Sequence, residues 1–145
     1  MCAAIEFNAT PIYFKDAPEL PVLCRDGSVR WIQWGCPYGS SDARAPQGAC
    51  ARIESILDGK WRKYHPRPVK IVCSAFMERD GKKAAHWFPV AAGQFIQGAL
   101  IELAGDAERR SIVYVVTEPA AAEVARIHDR QPRLVARSSP DDGHE

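Results

Sequence analysis

Apolar and polar positions along this chain fall into short stretches set apart by breaker residues, the pattern of a strand-rich protein. Asp26-Gly27, between Val22-Leu23 and Val29-Arg30-Trp31-Ile32, has the composition of a tight hairpin turn between two strands, after an opening segment punctuated by Pro11, Pro18 and Pro21. Gly35-Cys36-Pro37-Tyr38-Gly39-Ser40-Ser41-Asp42 carries the small and breaker residues of a loop. Ala51 to Leu57 is too short for its periodicity to separate helix from strand. Val69 to Met77, Trp87 to Val90, Phe95 to Leu103 and Ser111 to Val116 are apolar and β-favouring, parted by Gly-containing turns, and predict an antiparallel sheet in the middle of the chain. Thr117-Glu118-Pro119 followed by Ala120 to Ile127 offers an N-cap, an early Pro and good helix formers, and predicts a helix. Ser138 to Glu145 is polar and acidic and predicts a mobile tail.

Composition narrows the class. A length of 145 residues suits one domain, expected over 1–137 with 138–145 as the tail. Apolar residues at 46% and charged residues at 26% are globular values and exclude a disordered or fibrous chain. No apolar run approaches the roughly 18 residues of a membrane helix, and the N-terminus lacks the features of a signal peptide, so a soluble cytoplasmic protein is expected. Five scattered cysteines without a CxxC pair argue against a disulfide framework or zinc knuckle. His65 and His86 have no partners at metal-ligand spacing, so no metal or cofactor is expected. The net charge of +1 is unevenly spread: Lys60 to Lys83 holds eight Lys or Arg against Glu78 and Asp80, which suits a polyanionic partner.

Chemistry concentrates at the N-terminus. Cys2 is small enough for Met1 to be removed, which would leave an α-amine and a thiol on one residue. Their reference pKa values, about 7.7–8.0 and about 8.5, give both a nucleophilic fraction near neutral pH. An aldehyde can condense with the amine to a Schiff base, and the thiol can then close a thiazolidine ring. The bland reading of a second-position Cys is a frayed terminus.

An ordered set of motifs gives Cys2 company: Met1-Cys2, Trp34-Gly35 with Pro37, Ala51-Arg52-Ile53-Glu54, Phe76-Met77-Glu78, and Thr117-Glu118 leading to Ile127-His128-Asp129-Arg130-Gln131-Pro132. Over essentially the whole chain to about Val135, this set resembles the SRAP family, the SOS-response-associated peptidase-like domains. The Ile-His-Asp-Arg-X-Pro block is its most specific part. The resemblance implies a single α+β domain dominated by antiparallel β-strands in a barrel-like sheet, with a few helices. It implies a DNA-damage-response protein, monomeric and nucleoid-associated. Such a protein recognises abasic sites in single-stranded DNA and crosslinks to them through Cys2 as a thiazolidine, with attendant lyase or self-processing activity. Glu78 and His128 are then the proton-transfer partners of Cys2, and Arg52, Arg130, Trp34 and Cys50 the DNA contacts. On their own, His128 reads as a helix-end residue and Glu78 as a solvated acid.

Three departures from the family pattern stand out. Ala3-Ala4 replaces Gly-Arg after Met-Cys, Cys50 replaces an Asn, and Ser74-Ala75-Phe76-Met77-Glu78-Arg79 replaces a strand with further aromatics. Lys60-Trp61-Arg62-Lys63-Tyr64-His65-Pro66-Arg67 interleaves cations and aromatics as single-strand-binding grooves do, or forms a solvated basic loop. Two other functions stay open: a thiol peptidase with Cys2 as nucleophile and His128 as base, and a divergent nucleic-acid-binding module without catalysis.

Overall fold

The computed structural model describes residues 2–40, 42, 44–103, 105 and 110–137; the acidic segment 138–145 lies outside the described residues. The chain runs β1 (Ala4–Phe7), β2 (Thr10–Tyr13), a 3-10 turn (Phe14–Asp16), β3 (Glu19–Leu23), β4 (Val29–Trp34), β5 (Cys50–Arg52), α1 (Ile53–Leu57), a second 3-10 turn (Arg62–Tyr64), β6 (Arg67–Ile71), β7 (Ala75–Arg79), β8 (Ala85–Pro89), β9 (Gln94–Leu103), β10 (Arg110–Pro119), α2 (Ala122–Ala125), β11 (Arg130–Pro132) and β12 (Leu134–Ala136). It is a small α+β fold in which strands predominate.

Five strands close on themselves. β3 pairs β4 across the Asp26-Gly27 turn, β4 pairs β10, β10 pairs β9, β9 pairs β6, and β6 returns to β3 at Val22↔Ile71. Closure leaves no open edge within the ring. β5 and β11 add to β10, and β12 adds to β9. A second, antiparallel sheet has the order β2-β1-β7-β8. Most pairings are antiparallel, as expected, but β10 runs parallel to both β4 and β5. Among the described residues no helix is long and apolar enough to cross a membrane.

β10 explains why its sequence is a continuous apolar run rather than an alternation. Val113 and Val115 face one core with Trp34, Leu100 and Ile5, while Ile112, Tyr114 and Val116 face another with Trp61, Ala51 and Ile101. A strand covered on both sides needs apolar residues at every position. Gly35, where the chain leaves β4 beside it, is at φ +55, and a Cβ there would lie 2.1 Å from the Gly48 carbonyl oxygen. Only glycine fits that approach.

Two expectations are corrected. Val69 to Met77 is not one strand: after Ile71 the chain leaves the ring, the Ser74 N–H donates to the Glu6 carbonyl, and β7 begins in the second sheet. The predicted helix from Thr117 onward is largely strand. Thr117, Glu118 and Pro119 are in register with Pro132, Gln131 and Arg130, and the Ala120 N–H donates to Asp129 O. Only the four residues of α2 coil, capped by Ala121 rather than Thr117. Local helix preference over so few residues is weak, because helix nucleation is costly, and the ladder to β11 overrides it. The undecided stretch Ala51 to Leu57 is both, β5 and then α1.

Trp34 is 1% exposed, donates its indole N–H to Ala49 O at 2.9 Å, and meets Phe14 edge to face at 5.5 Å. Its predicted role of stacking on a DNA base is therefore corrected: both faces are committed to the core. Trp34→Ala should destabilise the fold by about 3–5 kcal/mol, read from the midpoint of denaturant unfolding, as for other large buried aromatics. A loss under about 1 kcal/mol would mean the indole is not the anchor described.

Candidate functional site

The N-terminus enters the protein interior instead of fraying. β1 pairs β7 with Ala4 opposite Met77 and Ile5 opposite Phe76, which draws Cys2 into the core with no exposed surface. The Cys2 thiol donates to Ala4 O at 3.4 Å, and the Cys50 thiol, at the start of β5, donates to Cys2 O at 3.4 Å. Burial pushes the Cys2 thiol well above the ordinary thiol range, and the nearby Cys50 and Glu78 push it further. Burial likewise holds Cys50 at about 12.

Glu78, on β7, is fully buried, and burial raises its carboxyl pKa. His128 follows α2, its backbone N–H donating to Val124 O at 2.9 Å. Its Nδ1 lies 4.0 Å from Glu78 Oε1 and 3.2 Å from Asp129 Oδ1. Nδ1 also accepts the Arg130 backbone N–H at 3.0 Å, which in the neutral ring leaves the proton on Nε2. A protonated Nδ1 would instead find the Arg130 carbonyl at 3.2 Å. Four residues far apart in sequence, Cys2, Cys50, Glu78 and His128, are thus gathered at one place. The group combines a thiol, an acid whose pKa is raised by burial and a half-buried imidazole, a set suited to passing protons during carbonyl condensation.

Arg130 has a different role from the one expected. Its guanidinium forks onto Glu54 at 2.6 and 2.7 Å and also donates to the carbonyl and hydroxyl of Thr117. Those donors are spent on the protein and do not face a phosphate. The fork joins α1 to the loop carrying His128, so Arg130 positions that imidazole. Arg52, at the end of β5, is exposed and stands where a phosphate could reach it. In the basic segment, Trp61 is buried edge-on to Tyr114 at 4.9 Å and to Tyr64 at 5.7 Å, and Arg67 pairs with Glu102 at 3.2 Å. These aromatics anchor the second core and are not a stacking surface.

Cys73 went unassigned in the sequence, and burial raises its thiol to about 12. Glu54 was legible only as part of a motif. Nothing in the spacing announced its pairing with Arg130.

A crystal structure of a protein from Bacteroides thetaiotaomicron, a structural-genomics target, has the same fold, with a TM-score of 0.71 at 13% sequence identity. The likeness covers 92% of this chain and 65% of that one, so the chain spans about two thirds of its structural relative. No protein-family model and no curated protein matches the chain.

The pairing with Arg130 holds Glu54 down at about 2. The stabilisation is complete above the unfolded carboxyl pKa, about 4.3, and is lost as pH falls toward about 2. Glu54→Gln should therefore melt below the wild type at neutral pH, and the difference should shrink steadily over that acid window. A gap independent of pH would show that the ion pair is not its source.

Proposed function

We propose that the protein traps abasic sites in single-stranded DNA through Cys2, acting as a monomer on nucleoid DNA in the cytoplasm. The observation that carries this reading is the convergence of Cys2, Glu78 and His128 around a buried N-terminal strand. Once Met1 is removed, the Cys2 amine adds to the aldehyde of the ring-opened sugar to give a carbinolamine. Glu78, whose carboxyl pKa is raised by burial, donates a proton as the hydroxyl leaves as water and the imine forms. The Cys2 thiol adds to the imine carbon while its proton passes to the nitrogen by way of His128 or Glu78, closing the thiazolidine. Atoms balance: one water leaves, and no oxidant or reductant takes part. Strand cleavage by β-elimination from the imine would be the attendant lyase activity.

The same site weighs against a general thiol peptidase. Such enzymes lower the pKa of their cysteine, whereas burial raises that of Cys2. Thiazolidine closure proceeds from an adjacent thiol on an electrophilic imine and does not need a standing thiolate. Cys50 occupies the place of the family's Asn, and Arg52 remains the exposed cation for a phosphate on the same strand.

Incubation with a single-stranded oligonucleotide bearing an abasic site should give a denaturant-resistant adduct that is absent from Cys2→Ala. Glu78→Gln should form it about 100-fold more slowly, the usual contribution of one positioned acid. Wild-type protein that forms no adduct between about pH 6 and 8, the range in which the amine begins to be free, would overturn the reading. Salt-sensitive binding without any covalent product would favour the non-catalytic module instead.

A further inference from the structure

A cavity of about 470 Å³ opens beside the N-terminal strand, in the size range of ligand sites. Ala3, the residue after Cys2, is part of its wall, together with Tyr13, Phe14, Lys15, Tyr38 and Arg79. The register that orders the catalytic residues also builds this wall. Ala4 stands opposite Tyr13 on one side and Met77 on the other, forming a row across the sheet. Arg79, two residues beyond Met77, shares its face, while the intervening Glu78 points the other way, toward His128. The Phe14 N–H donates to Ala3 O at 2.9 Å, fixing the aromatic wall directly to the N-terminal strand.

Three features define an occupant. The walls are aromatic: Tyr38 is 62% exposed and meets Phe14 edge to face at 6.0 Å. Among the described residues no carboxylate lines the cavity, and the charged side chains in its wall are the cations Lys15 and Arg79. Among the described residues the partners of both cations are neutral, Lys15 lying 5.5 Å from the Tyr13 ring centroid and Arg79 donating to Lys83 O at 3.1 Å, so no described carboxylate cancels either charge. Exposed rings beside uncancelled cations are what single-strand-binding sites use to stack bases and hold phosphates.

We propose that this cavity is a nucleotide subsite: it takes the base next to the abasic residue on the same strand, stacked against Tyr38, with the adjoining phosphate at Lys15 and Arg79. The assignment rests on the reading that single-stranded DNA is the partner, and it adds which residues grip the strand. Ala3 of the subsite wall is bonded directly to Cys2, so a strand joined to Cys2 passes the cavity mouth. The subsite then orients the sugar before reaction and makes capture depend on an intact neighbouring base.

The test uses the full chain and a short oligonucleotide with a tetrahydrofuran abasic analogue, which has no aldehyde and isolates binding from covalent capture. Removing the base on one side of the analogue should weaken wild-type binding about tenfold by fluorescence anisotropy, the scale of one base stacked on an aromatic ring. Tyr38→Ala should bind about tenfold more weakly and be indifferent to that base. Lys15→Gln and Arg79→Gln should each flatten the dependence of log affinity on log salt by about 0.7, as for one phosphate contact on a single strand. All three side chains are exposed or line the cavity rim, and matching melting curves would confirm that the variants fold. Wild-type binding indifferent to both neighbouring bases, or unchanged salt slopes, would overturn the assignment, as would tight binding of thymidine monophosphate without oligonucleotide binding. An aldehyde-bearing oligonucleotide separates the two ideas: an adduct without base dependence removes the subsite and keeps trapping, whereas base dependence without an adduct keeps the subsite and removes trapping.

Discussion

Pairing of β1 with β7 is the contact on which the site depends. Four residues of strand at the extreme N-terminus, in register through Ala4↔Met77 and Ile5↔Phe76, convert a chain end that would ordinarily fray into part of the core. The same register delivers Glu78 to one face and Arg79 to the other. In the proposed reading, proton transfer and strand binding are thereby separated by one residue of β7. A slip of one residue would exchange those faces and dismantle both.

The rest of the fold supplies the third side of the site. β10, buried on both faces, holds β5 in parallel register and so fixes Cys50 beside the Cys2 carbonyl. Beyond β10 the chain turns through α2 and returns as β11, and the Glu54–Arg130 fork clamps that return to α1. His128 sits inside this clamped loop. Its approach to Glu78 is therefore set by backbone pairing and one ion pair rather than by its own flexible side chain. The cost is a dry setting in which the thiols are hard to ionise, a condition that amine condensation tolerates and that general thiol nucleophiles do not.

Much of the fold was legible where the chemistry is local. Asp26-Gly27 named its hairpin, and the β-favouring runs named β8, β9 and β10, because turn residues and strand residues act over a few positions. The failures have one cause. Thr117-Glu118-Pro119 looks like a helix start until β11 is placed beside it, and Val69 to Met77 looks like one strand until two sheets compete for it. At the site, Cys2, Glu78 and His128 were nameable from motifs, but Trp34 and Arg130 were read as DNA contacts because nothing local betrays a buried indole or a carboxylate partner 76 residues away. Lys15, Tyr38 and Arg79 carried no motif and emerge only from the cavity they share.

The central claim is that Cys2 acts as an aminothiol, not as a thiol alone. Intact mass spectrometry of two forms of the protein, one without Met1 and one with Met1 retained, after exposure to the same abasic oligonucleotide, tests it most directly. The predicted result is a mass increase of one oligonucleotide less one water, resistant to borohydride, confined to the form without Met1. An equal adduct on the form retaining Met1, whose Cys2 nitrogen is an amide, would contradict it.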